Sequence, residues 1–452
     1  MLFGIILKEK RFMILTVIIS ALTVLAMASV VLSKPYVKVK KLNIGLYWVV
    51  CLIGAILLIA TCRIDLKSVW GGITANTSVN PIKILTLFLS MTLLSVYLGD
   101  AGFFDYVAEG LFKRTKGSQF KLFLGLYAIV SILTVFTSND VIILTFTPAI
   151  CIFAKKAKVS PIPYLVAEFI GANTWSMALI VGNPTNVYLA QSAGIGFSEY
   201  FSVMWLPTLV GGLTSLGALL LLFGHQLKTP IKNEYSAHGK GMHAPHGHVK
   251  IEKTTMIIAL SHLLCCIIVL AFSDQMSVEM WLVCLISAMS LSAFTLVYDL
   301  IKFKSARPVI KSLSKEPYEL IPFVISMFVI VLALKENGVT DILKNLIITG
   351  KKTDGITVGF ISALSSNLLN NIPMSVLFES IVSGNNVAVY GAVVGSNLGA
   401  FITPVGALAG IMWNKILCRH GVKLPFIKFV LYGVAVAIPT LCATLLTLFL
   451  TV

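Results

Sequence analysis

Charge is what this 452-residue sequence has least of: Asp, Glu, Lys and Arg make up 12% of it, against 57% apolar residues and a mean hydropathy of +0.92. Soluble domains carry roughly 25% charged residues. So thin a supply cannot keep a surface of this size wet, which excludes a water-soluble globular chain. Acids are scarcer than bases, 19 against 35, leaving a formal net charge of +16. The bases nonetheless lie in short segments between apolar blocks, where they set membrane orientation, and this excludes a nucleic-acid partner. No G-x-x-x-x-G-K-[ST] occurs, so the chain carries no P-loop of its own. A separate ATPase subunit stays open. None of the eight cysteines forms a CxxC, and most fall inside apolar segments, as small buried hydrophobes do. His262 is the only histidine well inside an apolar block, and no Ser or Cys has a plausible His base. Enzyme chemistry and a resident metal or cofactor therefore have no support.

What is present is length. Leu15 to Ser33 and Asn43 to Cys62 hold no charge at all, each close to the roughly 20 residues a helix needs to cross about 30 Å of hydrocarbon. The first is too long for a signal-peptide core and is read as a retained helix. Ten spans are predicted, over 12–33, 42–62, 82–103, 164–192, 203–223, 254–272, 279–299, 319–335, 389–413 and 426–451. Two further apolar stretches, 122–154 and 356–382, are interrupted by polar residues and are predicted to be re-entrant hairpins.

The bases test that layout. The segments 34–41, 104–121, 155–163, 224–253, 300–318 and 414–424 hold 24 Lys and Arg, whereas the other face holds 9. The positive-inside rule puts the first set in the cytoplasm and both termini outside, in the cell membrane. Each half then reads as three spans, a hairpin and two spans, the first half starting outside and the second inside. The halves are inverted repeats, 1–223 and 254–452, joined by the polar linker 224–253. His238, His243, His246 and His248 crowd that linker and read as a solvated, cytoplasmic connection. The fold class is an all-α polytopic membrane protein with broken helices at the midplane, an architecture of secondary transporters.

Non-helical backbone at membrane depth must be buried in protein or line a watery cavity. Four such breaks are predicted, two per half. The first hairpin tip reads Thr137-Ser138-Asn139-Asp140, and its following span carries Gly171-Ala172-Asn173 and then Gly182-Asn183-Pro184-Thr185-Asn186. The second tip runs from Ser366-Asn367 to Asn370-Asn371-Ile372-Pro373. Its span carries Gly395-Ser396-Asn397 and then Thr403-Pro404-Val405-Gly406. Proline stops a helix, glycine turns the chain, and Ser, Thr and Asn cap the new ends. Half-helix N-termini suit an oxyanion, while freed carbonyls with Asn or Thr oxygens suit Na⁺. Candidate Na⁺ positions are Ser138, Asn139 and Gly182 in one half, and Asn367 and Thr403 in the other. A carboxylate inside the membrane is costly and marks a proton or cation site. Asp140 is the first coupling candidate, with Glu168 and Glu379 next.

These motifs resemble a known group. Residues 134–148, TVFTSNDVIILTFTP, are similar to the hairpin of arsenite-pump membrane proteins, and Asn370-Asn371-Ile372-Pro373 matches their Asn-Asn-x-Pro. Residues 395–413 resemble their Gly-x-Asp-Leu-Gly stretch, with Asn397 standing where that pattern has Asp. Gly182-Asn183-Pro184-Thr185-Asn186 is similar to the Gly-x-Pro-x-Asn element of the wider ion transporter superfamily. The resemblance covers roughly 85–435. It implies a homodimer in which hairpins and broken spans move together in an elevator-like way. It also implies two half-sites, Ser138 and Asn139 with Gly182–Asn186, and Ser366 and Asn367 with Ile402–Gly406.

The expected function is secondary transport of a small anion or oxyanion, coupled to Na⁺ or H⁺. Sodium–proton exchange is the alternative, and an ion channel is a third reading that fits inverted, non-identical halves less well.

Overall fold

A computed structural model describes residues 2–33, 36–39, 42–76, 80–115, 117–231, 253–273 and 275–452. The histidines His238, His243, His246 and His248 lie outside the described residues. The chain is almost entirely helical. In the first half, α1 (Leu2–Ser33) leads through β1 (Tyr36–Val39) and β2 (Leu42–Gly45) into α2 (Leu46–Ala60). Then come α3 (Leu66–Thr74), α4 (Pro81–Asp100), α5 (Phe103–Arg114), α6 (Gln119–Phe136), α7 (Asn139–Ala157), α8 (Ile162–Trp175), α9 (Pro184–Ser192) and α10 (Phe197–Phe223). The second half opens with α11 (Lys253–Ala271), α12 (Met280–Phe303), α13 (Arg307–Leu313), α14 (Leu320–Glu336) and α15 (Val339–Ile347). It closes with α16 (Asp354–Leu369), α17 (Asn371–Val382), α18 (Asn386–Gly399), α19 (Leu408–Arg419) and α20 (Phe426–Thr451).

Among the described residues, seven helices are long and apolar enough to span a bilayer, or eight if α14 and α15, bent by 80° at their junction, count as one span. One of the seven, α6 (Gln119–Phe136), is the first arm of the predicted hairpin 122–154. The predicted spans not among them, α14 aside, do not run as one long helix, since α2 has 15 residues and two spans are split into α8–α9 and α18–α19. Boundaries differ from expectation at several ends: α1 begins at Leu2, α4 ends at Asp100, α10 begins at Phe197 and α12 ends at Phe303. The span predicted from 42 begins at 46, because Leu42–Gly45 pairs antiparallel with Tyr36–Val39 as a short hairpin. Val37, Val39 and Ile44 are β-branched, and such residues favour a pleated strand.

Four short helices fill stretches expected to be loops: α3, α5, α13 and α15, of 7 to 12 residues. All are too short to span. Two of them occupy the same place in each half. α5 follows α4 after Gly102 at φ 84°, and α15 follows α14 after Gly338 at φ 74°. That left-handed backbone is open to glycine at no steric cost, and it turns the chain sharply away from the span.

The halves are packed by exchange. α1 and α2 pack with α14 of the other half, while α11 and α12 pack with α4. The first group builds a smaller core around Met27, Cys51, Leu58, Phe323 and Ile330. The hairpins, the broken spans, α10 and α20 build the larger core. Its closest helix pair is α16 with α18, where Gly391 and Gly395 face the backbone of Gly355 and Gly359. A Cβ at either position on α18 would overlap a carbonyl of α16. Small residues let membrane helices approach to this distance, where van der Waals packing replaces a hydrophobic driving force.

Candidate functional site

All four predicted breaks are present. The hairpin tips interrupt α6–α7 at Thr137 and Ser138 and α16–α17 at Asn370; the spans are interrupted between α8 and α9 and between α18 and α19. Their polar side chains are almost all buried, so each must find a partner inside the protein.

In the first half, Asn139 Nδ2 donates to Asn173 Oδ1 at 3.1 Å, tying the tip to α8. Thr137 turns back to Leu133 O at 2.7 Å, and Ser138 Oγ lies 3.5 Å from Asn139 Oδ1. Asn173 Nδ2 in turn holds Phe169 O at 2.8 Å. Beyond the tip, the two broken spans meet. Asn397 of α18 takes Asn183 Nδ2 at 2.8 Å on its Oδ1 and gives its own Nδ2 to Asn186 Oδ1 at 2.7 Å. Ser176 Oγ lies 2.9 Å from the same Asn397 oxygen, and Thr185 Oγ1 lies 3.1 Å from Ser396 Oγ. Asn186 Nδ2 holds Ser176 O at 2.8 Å across the break, and a Cβ on Gly182 would strike that same carbonyl.

In the second half the bonds run from tip to span. Asn367 Oδ1 accepts from Thr403 N at 2.9 Å, while its Nδ2 reaches Gly399 O at 2.9 Å. Asn370 Nδ2 donates to Val405 O at 3.0 Å and Asn371 N to Gly406 O at 3.0 Å. Asn370 holds φ 74°, a conformation uncommon for residues other than glycine and found where the surroundings over-determine it. Gly406 sits where a Cβ would lie 3.0 Å from Asn367 Oδ1 and 2.9 Å from two carbonyls. Ser366 is taken up locally, by Ser362 O at 2.8 Å.

The structure therefore gathers the first tip and both broken spans into one cluster, joined through α18 to the second tip. Asp140 and Glu379 stand apart from it. Asp140 is half-buried in the first turn of α7; Glu379 on α17 accepts from Ser380 Oγ at 2.9 Å. Glu168 is fully buried on α8, 2.8 Å from Thr147 Oγ1 and 3.4 Å from Trp413 Nε1. Ser176, Thr147 and Trp413 were not singled out from sequence. Ser176 had one usable signal, its place three residues after Asn173 at the edge of a break; single Thr and Trp residues in apolar runs carry none.

Two features bear on what this arrangement can bind. The first is the helix ends. Asn183 caps α9 by accepting from Thr185 N, and Asn370 caps α17 by accepting from Ile372 N. Ser138 and Ala407, which begin α7 and α19, give no side-chain cap, and those two helices pack against each other. Uncapped N–H groups at a helix start carry partial positive charge, which suits an anion. The second is the polar atoms left over: Thr134 Oγ1, Thr174 Oγ1 and Asn371 Oδ1 are buried beside the breaks and have no partner. An apolar cavity of about 460 Å³ borders the first break, between Phe136, Trp175, Leu179, Trp205 and Ile267. Among the described residues no group of three or more His, Cys, Asp or Glu converges at metal-binding distance.

Comparison with known proteins agrees with this architecture. The sequence profile of the citrate transporter family matches residues 44–389. The arsenical pump membrane protein of Escherichia coli is 25% identical over 425 residues, covering 90% of this chain and 94% of that protein. The arsenical pump membrane protein of Yersinia enterocolitica is 25% identical over 377 residues, covering 80% and 84%. Among solved structures, the Alcanivorax borkumensis YdaH transporter, of unusual topology, superposes with a TM-score of 0.54 at 13% identity, covering 97% of this chain and 98% of that one. Neisseria gonorrhoeae MtrF, of a class of antimetabolite efflux pumps, gives 0.52 at 13% identity, covering 98% and 95%. At that identity the two structures establish a shared fold.

Proposed function

This chain belongs to the citrate transporter family, and from that premise we propose that it is a secondary transporter which carries a small anion or oxyanion across the cell membrane, coupled to Na⁺ or H⁺. The observation that carries the reading is the pair of uncapped helix starts, α7 and α19, on helices that pack together beside the joined breaks. The start of α19 has no acid in its first turn, whereas Asp140 in the first turn of α7 meets part of that positive end; what remains of the two ends favours negative charge without a fixed cation. The unpartnered Thr134, Thr174 and Asn371 oxygens supply neutral hydrogen-bonding groups for the remainder of the solute.

In this reading the hairpins and broken spans move as one body in an elevator-like step, within a homodimer embedded in lipid. The recurring order of span, turned short helix, hairpin and broken span in each half supports the inverted repeat, 1–223 against 254–452. Na⁺, if it is the coupling ion, would sit at Ser138, Asn139 and Gly182, and at Asn367 and Thr403. The linker 224–253 is assigned to the cytoplasm and both termini to the outside. A reporter joined after residue 240 is expected to give a cytoplasmic signal; an external one overturns that orientation.

The deciding experiment is uptake and counterflow in proteoliposomes with arsenite, phosphate, sulfate and dicarboxylates, under imposed Na⁺ or pH gradients. Saturable anion flux that follows one gradient supports the proposal. Na⁺–H⁺ exchange with no anion movement replaces it with the antiporter, and unsaturable, gradient-independent flux with a channel.

A further inference from the structure

We propose that Glu168 is a proton-binding site of the transport cycle, a carboxylic acid that is neutral in this conformation and fastens the first hairpin to the second broken span. The proposal rests on the transporter reading for its role in the cycle, and on hydrogen-bond chemistry for the proton itself.

Thr147 Oγ1, on α7, lies 2.5 Å from Ile143 O and 2.8 and 3.1 Å from the two oxygens of Glu168. A threonine hydroxyl has one hydrogen to give, and a carbonyl has none. Two oxygens at 2.5 Å need a proton between them, so the Thr147 hydrogen belongs to Ile143 O. The contact between Thr147 and Glu168 must then take its hydrogen from the carboxyl group. The other carboxyl oxygen, Oε2, accepts from Trp413 Nε1 at 3.4 Å, and the indole is a donor only. The hydrogens balance when Glu168 is an acid: its O–H serves Thr147, and its carbonyl oxygen serves Trp413.

The surroundings agree. Glu168 is fully buried, and it belongs to neither the Lys83–Glu279 nor the Lys315–Asp100 ion pair. Phe169 and Phe429 pack on Trp413 with ring centroids 5.2 and 5.6 Å away, so the second partner is itself held in an aromatic cluster. A bare carboxylate in such a place is costly unless paired. Cys151 is the buried titratable group four residues after Thr147 on α7. On the other elements packed against α8, Tyr127 of α6 donates to Gly212 O and Tyr200 of α10 donates to Met177 O. Tyr390 of α18 lies beside Tyr200, with ring centroids 6.1 Å apart. Lys415 of α19 sits over the Tyr36 ring.

Loss of the proton would turn the group that now donates to Thr147 into an acceptor on both oxygens. Thr147 must then leave Ile143 O to serve it, and the join between α7, α8 and α19 changes. One proton bound on one side of the membrane and released on the other is the whole balance; no other bond is made or broken.

Glu168→Gln tests this while keeping the shape, since the amide N–H can serve Thr147 and its oxygen Trp413. In proteoliposomes of the full chain, with the same anion panel as probes, E168Q is expected to keep anion counterflow but to lose accumulation driven by a pH gradient. Accumulation in E168Q that follows the pH gradient as in wild type overturns the proposal. A second measurement needs no transport. Infrared spectra of the purified protein should contain a protonated-carboxyl C=O band that E168Q lacks, and identical spectra overturn the assignment. If no anion moves in wild type but that band is present, the transported solute was misjudged and the proton site stands.

Discussion

Asn183 and Asn397 come from opposite halves of the chain, and the amide of one donates to the amide oxygen of the other at 2.8 Å. The bond joins the two broken spans at the point where each leaves the helical path. Asn397 also donates to Asn186 at 2.7 Å and to Val393 O at 2.9 Å, so both of its amide hydrogens are spent. Residues that look in sequence like solute ligands are thus occupied with one another, and their work is to hold the breaks in register. What remains for a solute is the set of helix ends and unpartnered atoms that this frame positions.

Removing one member should therefore weaken the frame. Asn397→Ala takes the Asn397 partner away from Asn183 Nδ2 and Asn186 Oδ1, at a cost of about 1–3 kcal/mol for each buried group left unsatisfied. Thermal unfolding in detergent should show a lowered midpoint for Asn397→Ala and for Asn183→Ala. The double variant should lose less than the sum of the two. Strict additivity would mean that this bond joins nothing.

The crossing of α16 and α18 gives a steric test. Gly395→Ala places a methyl group against Gly359 O and Ser362, which are backbone and short side chain with little room to yield. Overpacking of this kind costs about 1–3 kcal/mol, so the variant should unfold at lower temperature and yield less protein. Gly71→Ala on α3 is the control, because nothing lies within 4 Å of the added carbon. Equal stability in the two variants would show that the helices have space to separate.

Much of this was legible because the bilayer imposes strong rules on sequence. The breaks at Thr137–Ser138, Asn370, 176–183 and 400–407 fall where Ser, Asn, Gly and Pro interrupt apolar runs. Lipid cannot satisfy open backbone, so such residues are informative there as they are not in a soluble loop. The short helices α5 and α15 were missed because a stretch of 9 to 12 residues with mixed polarity reads as a loop when only spans are sought. The pairing of Asn183 with Asn397 was out of reach, since 214 positions separate them and only the packing of one half on the other brings them together. Thr147 and Trp413 were invisible for the same reason: nothing local marks which apolar run will lie against Glu168.

Glu316 offers a prediction on pH. It sits in the segment between α12 and α14, 8% exposed, and neither carboxyl oxygen has a partner. Burial raises its pKa from 4.5 to about 8. Between those values the folded protein holds a proton that the unfolded chain has lost, so stability falls as pH rises from 4.5 to about 8. The unfolding temperature should decline across that window, and Glu316→Gln should flatten this part of the profile. An unchanged slope in E316Q would place the titration elsewhere.

Asp140 and Glu168 should separate by phenotype, because their positions differ. Asp140 is half-buried in the first turn of α7, at a helix start with no side-chain cap, whereas Glu168 is fully buried and bonded to two other helices. A carboxylate at a helix start interacts favourably with its positive end, and Asp140 directly follows Asn139, which ties the first hairpin tip to α8. Asp140→Asn should therefore abolish coupled transport through loss of apparent affinity for solute or coupling ion, with expression intact. Glu168→Gln should leave affinity in place and remove the dependence on the pH gradient. Concentration series for uptake at several pH values distinguish the two. Wild-type flux and affinity in Asp140→Asn would remove Asp140 from the site, and a shared phenotype would mean that the two acids act as one proton relay.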